Sequence, residues 1–131
     1  MIDARLWQNY RDSYFCFTQW PEWDSYAIVT AWNPASQRLS NKDNHANNQR
    51  LLKALSGFNY VQVRVGNKDF SWVEDSFAVA IPLERARRLA QQFGQNAIYF
   101  IQSNRLYLYS CIDSSQVCIG DLVERIDKEK I

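Results

Sequence analysis

The chain has 131 residues and contains 15 Lys and Arg against 14 Asp and Glu, so its net charge of +1 gives no general attraction to nucleic acids or anionic membranes. Hydrophobic residues make up 47% of the chain and charged residues 22%, which are proportions typical of a globular domain and exclude intrinsic disorder. Four Gly and three Pro exclude collagen-like and linker-like compositions. We therefore expect a single folded domain over residues 1–131.

The sequence predicts neither export nor a membrane segment. Charged residues interrupt the N-terminus, and the longest apolar runs, such as residues 77–81 and 97–101, have the length of strands rather than the roughly 20 residues of a membrane helix. The odd number of cysteines, Cys16, Cys111 and Cys118, favours thiols in a reducing compartment, with a Cys111–Cys118 disulfide as the alternative. We expect a cytoplasmic protein with no metal, no cofactor and no membrane contact.

Two helices and one strand are predicted in the first half of the chain. Apolar residues at helical spacing indicate a short helix over residues 3–11. Residues 26–32 are apolar on both faces, which is typical of a strand in the middle of a sheet, and Pro34 follows its end because proline cannot donate to a strand ladder. Ser40 begins a capping box, so a second helix is predicted over residues 40–56.

The second half of the chain alternates strands with one helix. Strands are predicted over residues 60–65, 70–81, 97–102 and 106–111, and a helix over residues 83–93. Pro82 suits the first turn of that helix, and Gly94 suits its end. The charged tail after Gly120 is expected to fray.

The order strand, helix, strand, strand, helix, strand predicts an α+β fold with a ferredoxin-like βαββαβ core. Right-handed crossovers then give a mostly antiparallel sheet with both helices of this core on one face. The helix over residues 3–11 precedes the core, and the strand over residues 106–111 follows it.

Two asparagines of the second helix lie on its apolar side. At about 100° per residue, Asn44 and Asn48 share that side with Leu51 and Leu55, so their side chains point toward the core. A buried amide left without a partner costs about 1–3 kcal/mol. Either both amides bond neighbouring backbone or they face a wet pocket, and the sequence leaves the two interpretations open.

The expected topology brings chemically useful side chains to one end of the sheet. These are Thr30, Asn33, Asn44, Asn48, Trp72, Glu74 and Gln95. Arg38 and the N-terminus of the second helix favour an anionic ligand group, and Trp72 offers a flat apolar wall. Glu74 is suited to bind an amine or to act as a base, and the alternative for it is an ion pair with Arg38 or another surface base.

Four phrases of the sequence form a recognisable combination. They are Thr30-Ala31-Trp32-Asn33-Pro34, Asn44-x-x-x-Asn48-x-x-Leu51, Trp72-x-Glu74-x-Ser76-Phe77 and Phe93-Gly94-Gln95-x-Ala97-Ile98. In their order and spacing they resemble the bacterial family called domain of unknown function 3293. The resemblance implies a small cytoplasmic bacterial protein and implies no particular activity. It marks as the polar signature of the family Thr30, Asn33, Pro34, Asn44, Asn48, Trp72, Glu74, Ser76 and Gln95.

The first functional hypothesis is a non-catalytic binding domain with a polar pocket at that end of the sheet. Its candidate ligand-binding residues are Thr30, Asn33, Arg38, Asn44, Asn48, Trp72, Glu74, Ser76 and Gln95. The alternatives are a protein-interaction module, such as a regulator, an inhibitor or an antitoxin-like partner, and then an enzyme that uses Glu74 as acid or base. The sequence identifies no catalytic residue and does not choose between a small molecule and a protein as the partner.

RNA binding through aromatic residues of the sheet is a weaker hypothesis. Phe70, Trp72, Tyr107 and Tyr109 suit the open face of a ferredoxin-like sheet. Residues 66–70, however, lack the basic-Gly-aromatic run that is typical of RNA-binding sheets. Together with the nearly neutral charge, this makes a nucleic acid an unexpected partner.

Overall fold

A computed structural model describes residues 1–126, which form three α-helices, two short 3₁₀ turns and one antiparallel sheet of seven strands. The helices are α1 (Ala4–Arg11), α2 (Asn41–Ala54) and α3 (Leu83–Gln92), and the 3₁₀ turns are Pro34–Ser36 and Leu122–Arg125. The strands are β1 (Tyr14–Phe17), β2 (Ser25–Val29), β3 (Tyr60–Gly66), β4 (Val73–Val79), β5 (Ala97–Gln102), β6 (Arg105–Ser110) and β7 (Gln116–Asp121). Their order across the sheet is β1-β3-β4-β2-β5-β6-β7.

Local sequence explains where the helices begin. The Asp3 carboxylate accepts from the backbone N–H of Arg5 at 2.9 Å and caps α1, and the Ser40 hydroxyl accepts from the backbone N–H of Asp43 at 3.1 Å and caps α2. Pro82 directly precedes α3. Proline has no backbone N–H, and at this position an N–H would have no partner within the helix. All three helices lie where the sequence predicts them.

The α+β class and the antiparallel sheet are confirmed, but the sheet is larger than predicted. The prediction had five strands and missed β1 and β7. β1 is the short run Tyr-Phe-Cys-Phe without polar alternation, and the pairing of β7 with β6 shifts register at Leu106 and Tyr107. Neither segment therefore shows a sustained alternation of apolar and polar residues, which is the pattern that predicts a strand from sequence.

The ends of two predicted segments also differ. β4 begins at Val73 because Phe70 has a left-handed backbone, with a φ of 54°, and belongs to the preceding turn. The chain after Gly120 completes β7 and forms the Leu122–Arg125 turn, so the expectation that it frays is wrong for this part. Residues 127–131, which complete the charged tail, lie outside the described residues.

The two faces of the sheet pack against different layers. The helix face, with Ala27, Val29, Phe77 and Val79, is covered by α2 and α3. The opposite face, which we call the inner face, presents Ile28, Val65, Ala78 and Tyr99 to a second core. An isolated parallel bridge joins Phe15 of β1 to Ile126, so the chain beyond β7 returns to the other edge of the sheet. The sheet therefore curls around the inner face.

α1 crosses one end of the inner face rather than the helix face. The Tyr99 hydroxyl donates to the carbonyl oxygen of Tyr10 at 2.7 Å. The Arg125 guanidinium donates to the carbonyl oxygens of Arg11 and Ser13 at 2.5 and 3.1 Å. These bonds fix the C-terminal end of α1 to the sheet and to the last described turn.

Candidate functional site

A cavity of about 540 Å³ lies between the inner face of the sheet, α1 and the chain around residues 33–36. Ile28 and Val65 of the inner face line it, and α1 contributes Leu6 and Tyr10. Its volume lies within the usual range of small-molecule sites, about 300–1,000 Å³. The cavity is therefore large enough for a small organic molecule.

Six of the nine candidate residues line this cavity. They are Thr30, Asn33, Trp72, Glu74, Ser76 and Gln95. Arg38 is exposed to solvent away from the lining, and Asn44 and Asn48 are buried in α2 outside it. The structure thus brings most of the candidate residues together, and ligand binding by any of the nine stays a prediction.

Asn48 holds the backbone that leaves β2. Its side-chain carbonyl accepts from the backbone N–H of Ala31 at 2.9 Å, and its NH₂ donates to the carbonyl oxygen of Asp75 at 3.0 Å. The Thr30 hydroxyl donates to the same Asp75 carbonyl at 2.7 Å. β2 ends at Val29, earlier than predicted, because side chains rather than a neighbouring strand bond the backbone from there on.

Asn44 orients the side chain of Asn33. The Asn44 side-chain carbonyl accepts from the backbone N–H of Asn33 at 2.8 Å, while its NH₂ donates to the Asn33 side-chain oxygen at 2.9 Å. The backbone N–H of Leu39 donates to that same oxygen at 3.0 Å. Because two donors occupy its oxygen, the NH₂ of Asn33 is left as the group that can act on Glu74.

Glu74 lies half-buried in the cavity, on the inner face of β4. Burial raises the pKa of Glu74 from 4.5 to about 7, and the hydrogen bond from the Asn33 side chain opposes that rise. Among residues 1–126 no Arg, Lys or His forms an ion pair with it, so the alternative pairing with Arg38 is absent. The carboxyl therefore exchanges its proton near neutral pH, and no cation of residues 1–126 is paired with it.

The other titratable groups of the cavity are acidic or phenolic. The described lining residues include no Lys, Arg or His, and the second carboxylate, that of Asp12, belongs to an exposed residue. The buried Tyr99 hydroxyl donates to the Tyr10 carbonyl and lies 2.6 Å from Ser13 Oγ. Burial raises the pKa of Tyr99 far above its usual value, so this hydroxyl stays protonated and already has its acceptor.

The turn between β3 and β4 places an indole at the cavity. Trp72 lines the cavity and is 44% exposed. Its backbone N–H donates to the side-chain oxygen of Asn67 at 3.0 Å, and the Asn67 NH₂ donates to Ser71 Oγ at 2.9 Å. A Cβ on Gly66 would clash with the carbonyl oxygen of Trp72, so the tight turn requires glycine. The turn thus holds an apolar aromatic surface beside the polar groups.

Sequence reasoning missed the side of the cavity that α1 builds. Tyr10, Ser13, Asn96 and Tyr99 all line it, and none of them was a candidate. The available signal was the phenol of Tyr99 in an otherwise apolar strand, since a buried tyrosine hydroxyl needs a hydrogen-bond partner. Only the fold shows that this partner is α1.

Three features are absent from residues 1–126. No helix there is long and apolar enough to cross a membrane. No group of three or more His, Cys, Asp or Glu is placed to hold a metal ion. Cys111 and Cys118 do not form the disulfide that was the alternative for them.

Comparison with known proteins finds a match to a family model. A family model described as a protein of unknown function (DUF3293) matches residues 29–98, more than half of the chain. The chain belongs to the DUF3293 family. The resemblance drawn from the sequence is thereby confirmed. No curated protein and no solved structure matches the chain.

The family match covers most of the DUF3293 cavity but not all of it. The matched residues include the six candidate residues of the lining and both buried asparagines of α2. α1 and Tyr99, which complete the cavity in this DUF3293 protein, lie outside the match. Because the family description names no activity, the function must be inferred from the cavity.

Proposed function

We propose that this DUF3293 protein is a non-catalytic binding domain that holds a small molecule in the cavity beneath α1. The observation that carries the proposal is the convergence of polar side chains from separate segments of the chain on one cavity of about 540 Å³. Cavities of this size, with apolar walls and a few oriented polar groups, are typical of small-molecule sites.

The polar groups of the cavity are held in place before any ligand arrives. Asn33 is fixed by Asn44, and the Thr30 hydroxyl is fixed by the Asp75 carbonyl. The NH₂ of Gln95 donates to the carbonyl oxygen of Trp32 at 3.1 Å. A ligand therefore finds side chains that need little further ordering, which reduces the entropy lost on binding.

The composition of the lining favours binding over chemistry. The described lining residues include no His, Cys or Lys, the side chains that most often act as bases or nucleophiles beside a carboxylate. The Tyr99 hydroxyl is already engaged with α1. Glu74 is left as a single reactive group without a catalytic partner.

The proposal is tested by NMR with isotope-labelled protein and a library of small polar molecules at millimolar concentration. We expect a subset of compounds to shift the resonances of lining residues. Ala97→Phe places a ring in the cavity and should abolish these shifts, whereas Ala54→Phe adds the same ring on the exposed surface of α2 and should leave them unchanged. Circular dichroism checks that both variants fold.

Two results would overturn the proposal. The first is a library in which no compound shifts the lining residues of the wild-type protein. The second is binding that persists at full strength in a folded Ala97→Phe variant, because the compounds would then occupy another surface.

Catalysis by Glu74 is the second candidate function. It is favoured by one observation, the location in a cavity of a carboxyl with a pKa near 7, where it can give and take a proton. Mass spectrometry of each bound compound after incubation tests it. A compound changed by the wild-type protein but not by Glu74→Gln would replace the binding proposal with an enzymatic one.

We also propose that β2 to β5 with α2 and α3 form a ferredoxin-like core, as expected from the sequence. The order β3-β4-β2-β5 in the middle of the sheet supports this interpretation. A superposition of an experimental structure on ferredoxin-like domains would test it. The bacterial origin, the cytoplasmic location and the possibility of a protein partner stay predictions of the sequence.

A further inference from the structure

We infer that the molecule bound in the cavity presents a protonated amine to Glu74 and an apolar body to the indole of Trp72. This inference rests on the proposed function and adds the chemical class of the ligand. It selects an amine over the anionic group that Arg38 suggested in the sequence.

The charge of the cavity is the first argument. Its described lining contains two carboxylates, those of Asp12 and Glu74, and no basic side chain. An anionic ligand would meet uncompensated repulsion from Glu74, whereas a cation would supply the missing counter-charge. Arg38 is exposed and contributes nothing to this balance, because it is outside the lining.

The hydrogen-bonding groups are the second argument. Gln95 uses its NH₂ on the carbonyls of Trp32 and Phe93, so its side-chain oxygen is left as an acceptor. Gln95 and Glu74 both line the cavity. The cavity therefore offers acceptors at Glu74 and Gln95, and an ammonium group is a donor without acceptor capacity.

The apolar part of the lining defines the rest of the ligand. Leu6, Ile28 and Val65 surround the polar groups, and Trp72 lies beside them with its indole partly exposed. An ammonium ion alone would leave these surfaces wet. An aromatic or aliphatic body joined to the amine would bury them and gain about 25 cal/mol per Å² of apolar area.

The test uses matched triplets of probes that share one body and differ in one group. Tryptamine, tryptophol and indole-3-propionate form the first triplet, and 2-phenylethylamine, 2-phenylethanol and 3-phenylpropionate form the second. Dissociation constants are measured by NMR titration of the lining residues. We expect the amine of each triplet to bind about tenfold more tightly than the alcohol, and the carboxylate to bind most weakly.

Two variants with the same change of charge locate the preference. Glu74→Gln should remove most of the advantage of the amine while leaving the alcohol nearly unchanged. Asp75→Asn is the control, because Asp75 is the next residue of β4, points to the opposite face and pairs with Arg64 outside the cavity. This control should keep the full preference for the amine.

The outcomes separate the two proposals. Equal binding of all three members of a triplet overturns the inference and leaves the small-molecule site standing, and so does an amine preference that survives in Glu74→Gln. The comparison of the three probes on the wild-type protein gives this answer even if the variant does not fold. If no member of either triplet shifts a lining residue, the inference fails, and failure of the broader library as well removes the proposed function.

Discussion

The two faces of the sheet use polar side chains in opposite ways. On the helix face, Asn44 and Asn48 are buried with every amide group bonded to neighbouring backbone or side chains. On the inner face, Glu74 is half-buried, and no Arg, Lys or His among residues 1–126 forms an ion pair with it. The polar groups of the helix face are therefore closed off by packing, whereas those of the inner face line a cavity beneath α1.

This difference distinguishes a scaffold from a candidate site. Both asparagines and Glu74 are polar residues in largely apolar surroundings. The sequence alone does not show which of them are structural and which could bind a ligand. The bonds of Asn44 and Asn48 hold residues 30–33 in place, and their loss would leave buried backbone groups unpaired. The charge of Glu74, by contrast, is not balanced by an ion pair among the described residues. Glu74 is therefore the group for which a ligand could supply a counter-charge.

The largest expected effect compares one leucine from each side of the sheet. Leu51 of α2 is fully buried in the core of the helix face, so Leu51→Ala should lower the free energy of unfolding by about 3 kcal/mol. Leu6 of α1 borders the cavity and is only half-buried, so Leu6→Ala should lower it by about 1 kcal/mol or less. Urea denaturation measures both.

Equal losses from the two leucine variants would contradict the comparison. Such a result would mean that α1 packs as tightly as α2 in solution and that the space beneath it is closed. The slope of the denaturation curve should be the same for both variants and the wild-type protein, which shows that the same unfolding transition is compared.

Much of the fold could be predicted because its signals are local. Ser40 and Pro82 mark helix starts through backbone groups within one turn, and the middle strands follow from runs of apolar residues. β1 was missed because its pairing with β3 is a long-range event that the run Tyr-Phe-Cys-Phe does not encode. Because β1 was not predicted, the position of α1, which directly precedes β1 in the chain, could not be predicted either.

The candidate site was predictable only on the side that the sheet topology fixes. Thr30, Glu74 and Gln95 lie near the ends of predicted elements, so the strand order placed them together. The state of Asn44 and Asn48 required atomic geometry, because helical spacing shows that they are buried but not what they bond. The cavity itself results from the packing of α1 against the sheet, which no sequence pattern predicts.

Glu74 should make the stability of the protein fall as the pH rises toward 7. The unfolded chain loses this proton near pH 4.5, whereas burial keeps it bound in the folded chain to about pH 7. Over that window the free energy of unfolding should fall by at most about 3 kcal/mol, less where water screens the partly exposed carboxyl, and then level off above neutral pH. Thermal and urea denaturation at a series of pH values measures the change.

The Glu74→Gln variant isolates this effect from the other carboxyl groups. Its stability should match the wild-type protein near pH 4.5 and exceed it above pH 7, so the difference between the two proteins grows with pH. Asp75→Asn keeps Glu74 and should follow the wild-type profile. A constant difference between Glu74→Gln and the wild-type protein would show that Glu74 is well hydrated in solution.

Asn48→Leu should cost about 2 kcal/mol of unfolding free energy despite the added apolar surface, because the buried N–H of Ala31 loses its acceptor. The matched control is Gln49→Leu, at an exposed position of the same helix, which should change stability by about 0.5 kcal/mol or less. Amide hydrogen exchange gives a local readout, since protection at Ala31 should fall in Asn48→Leu alone. Unchanged protection there would mean that the asparagine is not a scaffold residue.

The smallest effect separates backbone strain from contact with the cavity wall. Gly57 and Gly94 both have a left-handed backbone, with φ values of 94° and 72°, so an alanine at either position should cost about 1 kcal/mol. A Cβ on Gly57 meets open space, whereas a Cβ on Gly94 lies 3.0 Å from the Cβ of Pro34. Gly94→Ala should therefore cost a few tenths of a kcal/mol more than Gly57→Ala. Gly94→Ala should also shift the NMR signals of Asn33 and Glu74, because Pro34 belongs to the segment that closes the cavity. Identical signals for those two residues in both variants would show that this segment moves without disturbing the site.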